Sequence, residues 1–414
     1  MVKISPSWKW LFISFLILVF AFNPLSAGSK VKVGLEVLLE KHLDLLRGKR
    51  IGILANQTSL DSEGKHIVEL LAPHVHITAL FGPEHGFLGK TEDAASIKDS
   101  AYKNIKLYSL YGEYLTPTPD MLKDVDVLIY DIQDVGVKFY TFVSNLFLAL
   151  TAAKQQNIPV FVLDRPNPIT AVRVEGAITV PAFGSFVGVM PLPIRYGMTV
   201  GELADLFNTE AYGGFFIDAD VTVIEMTGYK RNMWYDETGF PWMATSPNMP
   251  NLDTAIIYPG MCLMEGTNLS EGRGTETPFL TIGAPYIAPE EWLKALPAEA
   301  LEGVEAEPLT FQPKSIPGVV SKPKYMEKKC KGIHFTITDR DKLDPIKLAV
   351  AVLCVSQKLY PEHFKINKYM DKLWGNESLR AMVVEGKDYI DILKTCEPGL
   401  DRFKKVREKY LRYD

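Results

Sequence analysis

The sequence predicts an α/β protein, a Rossmann-like parallel-sheet domain followed by a smaller α+β C-terminal domain. Three observations carry this. Apolar runs of strand length recur from residue 50 onward, as in RIGILA, HITAL, DVDVLIY and PVFVLD, and a strand apolar on both faces belongs to a sheet covered on both sides. Helical segments separate these runs, the alternation of a parallel sheet. The strand ends carry polar residues in succession, and in open α/β sheets such ends line one crevice.

In chain order, residues 1–28 stand apart. Lys3 and Lys9 precede an apolar run from Leu11 to Phe22, then Pro24 and the small residues Ser26 and Ala27. This is the layout of a secretory signal, because the run falls short of the roughly 20 apolar residues that span a bilayer. The mature protein is expected to be exported, periplasmic or secreted, with no membrane segment beyond the leader. Residues 29–287 are assigned to the Rossmann-like domain and residues 288–414 to the auxiliary domain.

GLEVLLEKHLDLLRGK has apolar spacing of three and four and closes at Gly48, which predicts a helix. Arg50–Ala55 predicts a buried strand leading into Asn56-Gln57-Thr58. The helix His66–Leu71 precedes the strand HITAL and the loop FGPEHG, residues 81–86. IKLYSLYG and Asp124–Tyr130 are further strands, the second running through a polar end, Asp131, Gln133 and Asp134, into an amphipathic helix. PVFVL supplies the next strand and ends in Asp164, Arg165 and Asn167. Each aspartate alone reads as a helix cap or turn acceptor; together they argue for a site.

From Val180 to Thr254, proline and glycine punctuate the chain around one helix, GELADLFN, and one strand, DVTVIEM. Trp234, Tyr235, Phe240 and Trp242 read either as a sugar-stacking wall or as core. Beyond them FLTIGAPYI, AEPLTFQP and GIHFTIT are strands and Pro345–Tyr360 is a helix. The closing KVREKYLRYD reads as a solvated helix face or a docking tail.

The chain has 414 residues, 47% hydrophobic and 23% charged, long enough for two domains. A formal net charge of −5 gives no basic surface for nucleic acid. The four cysteines show no C-x-x-C spacing and, with scattered histidines, make a poor metal site, while a disulfide stays open. Cys354, inside LAVAVLCVSQ, reads as a packed core thiol. The first strand is followed by ANQTSLDSEG, without G-x-G-x-x-G, and G-x-x-x-x-G-K-[ST] is absent, which removes the nucleotide reading and leaves no cofactor expected.

The chemistry is expected in two loops. Tyr258–Pro278 holds Glu265, Glu271, Glu276 and Arg273 among glycines, and its lack of apolar periodicity predicts a shaped loop. FGPEHG presents Glu84 and His85 at the carboxyl end of a strand. Glycoside hydrolysis needs a carboxylic acid to release the leaving oxygen and usually a second carboxylate as base or nucleophile. Glu84 is the acid/base candidate with His85 as its neighbour. Glu265 and Glu271 compete for the second role, with Asp131 and Asp134 behind them.

FGPEHG, YDIQDVGVKFYTF, DRPNP, RYGMTVGEL, TSPNMPNLDTA, YPGMCLMEGTNLSEGRGT, LWG and YLRYD occur in that order. In this series the chain resembles the NamZ-type exo-β-N-acetylmuramidases, a family formerly known as a domain of unknown function. The resemblance spans nearly the whole chain after the leader. It implies a Rossmann-like domain with an auxiliary C-terminal domain and an active site in the cleft between them. The implied activity is release of β-1,4-linked N-acetylmuramic acid from the non-reducing end of peptidoglycan fragments, with Glu84 catalytic. The lactyl carboxylate of such a substrate suits a bidentate arginine, Arg165 or Arg273, with Lys138 and Arg195 behind them. Its acetamido group suits the loop amides of Asn56, Asn167, Asn248 and Asn268. Asp131, Gln133 and Tyr140, inside the matched YDIQDVGVKFYTF, complete the binding set. Two other classes stay open: a metal-dependent amidase or deacetylase of the wall, drawing on His66, His74, His76 and His85, and a non-catalytic wall-binding protein.

Overall fold

Strand β1 (Arg50–Ala55) is buried from its second residue on, as the first strand of a doubly covered sheet must be. The computed structural model describes residues 31–89, 99–209 and 216–414; the expected leader, residues 1–28, lies outside them. Around β1 gather β2 (His76–Gly82), β3 (Ser100–Tyr102), β4 (Ile105–Ser109), β5 (Val127–Asp131) and β6 (Val160–Leu163). β7 (Glu175–Ile178) and β8 (Pro193–Arg195) form a separate antiparallel pair, and β9 (Val221–Ile224) returns to the main sheet.

The seven-stranded order is β3-β4-β2-β1-β5-β6-β9, with every neighbouring pair parallel except β3 and β4. The chain runs outward from β1 through β2 to β4, then returns beside β1 with β5 and runs outward the other way. That reversal is the topological switch of a doubly wound fold. The register sets Ala55, the last residue of β1, against Asp131, the last of β5. Every polar strand end named from the sequence therefore emerges at one edge.

The helix Thr141–Gln156 is buried along most of its length and packs on the helix Val200–Thr209, with Phe147 and Phe207 edge to face at 5.7 Å. It ends at Asn157 in the left-handed region, φ 54°, the cap position where asparagine substitutes for glycine.

The C-terminal layer is an antiparallel sheet of β10 (Thr281–Ala284), β11 (Val304–Phe311) and β12 (Cys330–Ile337), ordered β10-β12-β11. The helix Leu252–Met261 packs against the helix Pro345–Leu359. Gly260 makes this crossing feasible, since a β-carbon there would sit 1.7 Å from the Pro345 carbonyl oxygen. Residues Val31–Asp414 form one compact unit.

The structure changes one expectation and sharpens three. The stretch Tyr258–Pro278 is not a loop throughout: Leu252–Met261 is α-helical despite Pro259, and Cys262–Gly266 continues as a 3-10 turn. Thr254 to Met261 is buried without a break, and a helix buried on all faces shows no amphipathic stripe. Gly34–Leu46 is helical as expected but passes from an α turn through a π turn to a 3-10 turn. Of the aromatic group, Trp234, Tyr235 and Phe240 are core, with Trp242 packed against them. All four cysteines are free thiols, and the half-buried Cys354 packs on the core.

The closing segment is a docking tail. The Tyr413 hydroxyl donates to Asp164 at 2.6 Å, and Arg412 reaches Glu202, Asp205 and Glu225. The last residue accepts a backbone hydrogen bond from Arg231.

Candidate active site

Glu84 owes its position to the end of β2. Gly82 lies so close to Phe87 that a β-carbon would approach its nitrogen to 2.9 Å. Pro83 opens a turn closed by the hydrogen bond from Gly86 N to Pro83 O at 2.9 Å. Within this turn His85 takes φ 68°, a left-handed conformation that costs a non-glycine residue on the order of 1 kcal/mol and persists where the surroundings impose it. The turn directs Glu84 to the first residue of the helix Thr141–Gln156. The Thr141 hydroxyl donates to Glu84 Oε2 at 2.8 Å and fixes the carboxyl group.

The facing wall comes from the turn Cys262–Gly266 and the loop after it. Arg273 Nη1 lies 2.7 Å from Glu265 Oε1 and 3.5 Å from Glu271 Oε1, and its guanidinium covers the Phe279 ring at 4.8 Å. Glu271 is buried, and Lys324 closes on its far side at 3.0 Å. Burial pushes the Glu271 carboxyl up, but Lys324 and Arg273 outweigh it and hold the group below its ordinary value. Lys324 also donates to the carbonyls of Met264, Glu265 and Leu269, clasping the loop. Burial and the charge of Glu265 push the Cys262 thiol well up, so it stays a donor, and its sulfur contacts Glu265 Oε1 at 3.6 Å.

Between these walls is a cavity of about 310 Å³, at the lower end of the range for small-molecule sites. Glu84, His85, Tyr140 and Thr141 line it from the first wall, Asn248, Tyr258, Glu265, Arg273 and Phe279 from the facing one. Tyr369, from the helix Tyr369–Trp374, also lines it. Burial and the charge of Glu265 push the Tyr369 phenol up, with a further contribution from Glu84, so the hydroxyl stays protonated. A larger cavity of about 610 Å³ lies beside the helix Pro345–Leu359, lined by Cys354, Lys358 and Tyr389 among others. It contains none of the loop glutamates, whereas the smaller cavity holds Glu84 and Glu265.

Of the expected residues, Glu84, His85, Glu265, Arg273, Tyr140 and Asn248 meet in this cavity. Glu271 sits behind Arg273 and does not line it. The others are committed elsewhere. Asp131 and Arg165 form a buried two-point pair at 2.5 and 2.9 Å. Asn56 Oδ1 accepts from Thr58, Gln133 donates to the Asp134 and Pro166 carbonyls, and Asn167 holds Ile169 N and the Met198 carbonyl. Asn268 bridges His363, Tyr286 and Lys365 N. Asp134 accepts from Gly136 N and the Tyr196 hydroxyl, and Lys138 donates to the Ala177 and Trp374 carbonyls. Of the four polar strand ends named from the sequence, only that of β2 lines the cavity, and the end of β4 joins it through Tyr111. Phe139, Thr141 and Tyr258 lie inside motifs read from the sequence, whereas Tyr111, Phe186, Lys324 and Tyr369 carry no local signal and are brought in by tertiary packing. Among the described residues no group of three or more His, Cys, Asp or Glu side chains could hold a metal ion.

The family models for the N-terminal and C-terminal parts of the exo-β-N-acetylmuramidase NamZ match residues 51–253 and 256–413. The chain belongs to the NamZ family. It is 41% identical over 397 residues to the peptidoglycan β-N-acetylmuramidase NamZ of Bacillus subtilis, covering 94% of this chain and 93% of that one. Two crystal structures of DUF1343 family proteins from Bacteroides fragilis are similar to it: one at 31% identity with a TM-score of 0.85, the other at 30% with 0.73. Each match covers 93% of this chain and 99% of the other. As a NamZ family member the chain is a glycoside hydrolase, and its α/β architecture is that of its relatives.

Proposed function

We propose that this enzyme releases β-1,4-linked N-acetylmuramic acid from the non-reducing end of peptidoglycan fragments, outside the cytoplasm if residues 1–28 act as the leader they resemble. The observation that carries the reading is that Glu84 and Glu265, from separate halves of the chain, line one cavity, the paired carboxyls that glycoside hydrolysis usually employs. Glu84, held by Thr141, is the acid that protonates the leaving oxygen. Glu265 is the second carboxylate, acting on the anomeric carbon or on the water that attacks it. Glu271, behind Arg273, holds that arginine in place. Arg273 is the partner for the lactyl carboxylate, since it lines the cavity, whereas Arg165 is buried against Asp131 and does not. Asn248 and the Tyr369 hydroxyl are placed to hydrogen-bond the sugar.

The test uses the purified mature protein with a chromogenic β-N-acetylmuramide and the matching β-N-acetylglucosaminide, with and without chelator. Release from the muramide alone, insensitive to chelator, is expected. Release from neither sugar would refute the assignment, and loss with chelator would favour a metal-dependent reaction on the wall.

A further inference from the structure

The walls of the cavity are graded. Phe139, Tyr140, Met249, Tyr258 and Phe279 are buried, whereas Tyr111, Phe186 and Val187 are half-buried. Tyr111 and Phe186 face each other with centroids 6.0 Å apart and planes inclined at 48°. Both are fixed to the elements that fix Glu84. Leu110 N donates to Gly82 O at 2.8 Å, so Tyr111 leaves the sheet beside the turn carrying Glu84, and Ser109 Oγ donates to the Tyr111 carbonyl at 3.0 Å. Ser144 Oγ donates to the Phe186 carbonyl at 2.7 Å, one turn along the helix whose Thr141 holds Glu84. Phe186 sits at the tip of a tight turn in which Ser185 and Gly188 exchange backbone hydrogen bonds. Two rings in contact with each other thus line the outer part of the cavity that holds Glu84.

An acid that protonates a glycosidic oxygen stands between the sugar released and the sugar that leaves. With the muramic ring toward the buried floor, the leaving sugar must pass beside Glu84 at the mouth. We propose that Tyr111 and Phe186 form the binding platform for the leaving sugar, packing on the apolar C–H face of a β-linked pyranose. This rests on the glycosidase reading and adds to it the subsite that makes the enzyme prefer a glycan over a simple muramide.

The experiment compares Tyr111→Ala and Phe186→Ala with the wild type on two substrates: the disaccharide of N-acetylmuramic acid β-linked to N-acetylglucosamine, and β-N-acetylmuramyl fluoride, whose leaving group is a single atom. Each variant should lose roughly three- to tenfold in kcat/KM on the disaccharide, the range of one aromatic contact, and stay within twofold of wild type on the fluoride. Tyr111→Phe and Phe186→Tyr, which keep the rings, should retain most of the disaccharide rate. Equal loss on both substrates would make the rings part of the muramide pocket, and no loss on either would remove them from the site; both results overturn the proposal. A wild type inactive on both substrates would overturn the glycosidase reading, and the subsite with it.

Discussion

Replacing Glu271 by glutamine tests the charge arrangement behind the cavity. The substitution keeps the shape and removes the buried anion between Arg273 at 3.5 Å and Lys324 at 3.0 Å. Removing one partner of a buried pair typically costs about 3–5 kcal/mol, because the other charge is left uncompensated. Two features lower the figure here. Arg273 keeps Glu265 at 2.7 Å, and the Lys324 side chain, 30% exposed, can turn to water, where an ion pair is worth about 1 kcal/mol or less. The expected loss is about 2–3 kcal/mol. For the unit Val31–Asp414, at about 2 cal/mol/K of unfolding entropy per residue, this lowers Tm by roughly 3 °C. The deficit also depends on pH. The folded-state pKa of Glu271 lies below its ordinary value of 4.5, so its stabilisation is complete above that value and is lost as pH falls through the folded pKa. Thermal melts of both proteins from pH 7 to pH 3 should show the gap shrinking toward the acid end. Equal Tm values at pH 7, or a gap constant down to pH 3, would refute the reasoning.

Other outcomes follow from the same geometry. Gly260→Ala places a methyl group 1.7 Å from the Pro345 carbonyl oxygen and should cost about 3 kcal/mol or more by overpacking, read from denaturant midpoints. Thr141→Val removes the hydrogen bond to Glu84 and should lower kcat/KM on a muramide by roughly tenfold, as a net loss of about 1.5 kcal/mol implies, with little change in Tm. Burial pushes Asp164 up from 3.8 to about 7, against the donors Tyr413, Gly201 and Thr199. Between those two values the folded state keeps a proton that the unfolded chain has lost, so this group's contribution to stability falls as pH rises across the window. Asp164→Asn should flatten that fall in pH-dependent melts.

The fold was legible because its strands announce themselves. RIGILA is β1 residue for residue, and PVFVL and DVTVIEM contain β6 and β9, since strands buried on both faces leave short continuous apolar runs. The helix at Leu252–Met261 escaped for a related reason: with every face buried it lacks the periodicity that reveals a surface helix. At the site, Glu84, Glu265 and Arg273 were readable because glycine-rich turns expose charged side chains to a ligand. Asp131, Arg165 and Gln133 looked equivalent to them, and only tertiary structure shows that they satisfy one another or nearby carbonyls. The cavity's outer aromatics and the Lys324 clasp come from segments far apart in the chain, and no local pattern encodes such a meeting.

The central claim is that Glu84 gives the proton and Glu265 is its partner. It is tested by kcat/KM for Glu84→Gln and Glu265→Gln on the disaccharide of N-acetylmuramic acid β-linked to N-acetylglucosamine and on 2,4-dinitrophenyl β-N-acetylmuramide, whose leaving group needs no acid. Glu84→Gln should lose about 10²–10⁴-fold on the disaccharide, the usual contribution of acid catalysis, and less than tenfold on the dinitrophenyl substrate, while Glu265→Gln loses heavily on both. Equal losses for Glu84→Gln on the two substrates, or none on the disaccharide, would contradict the account.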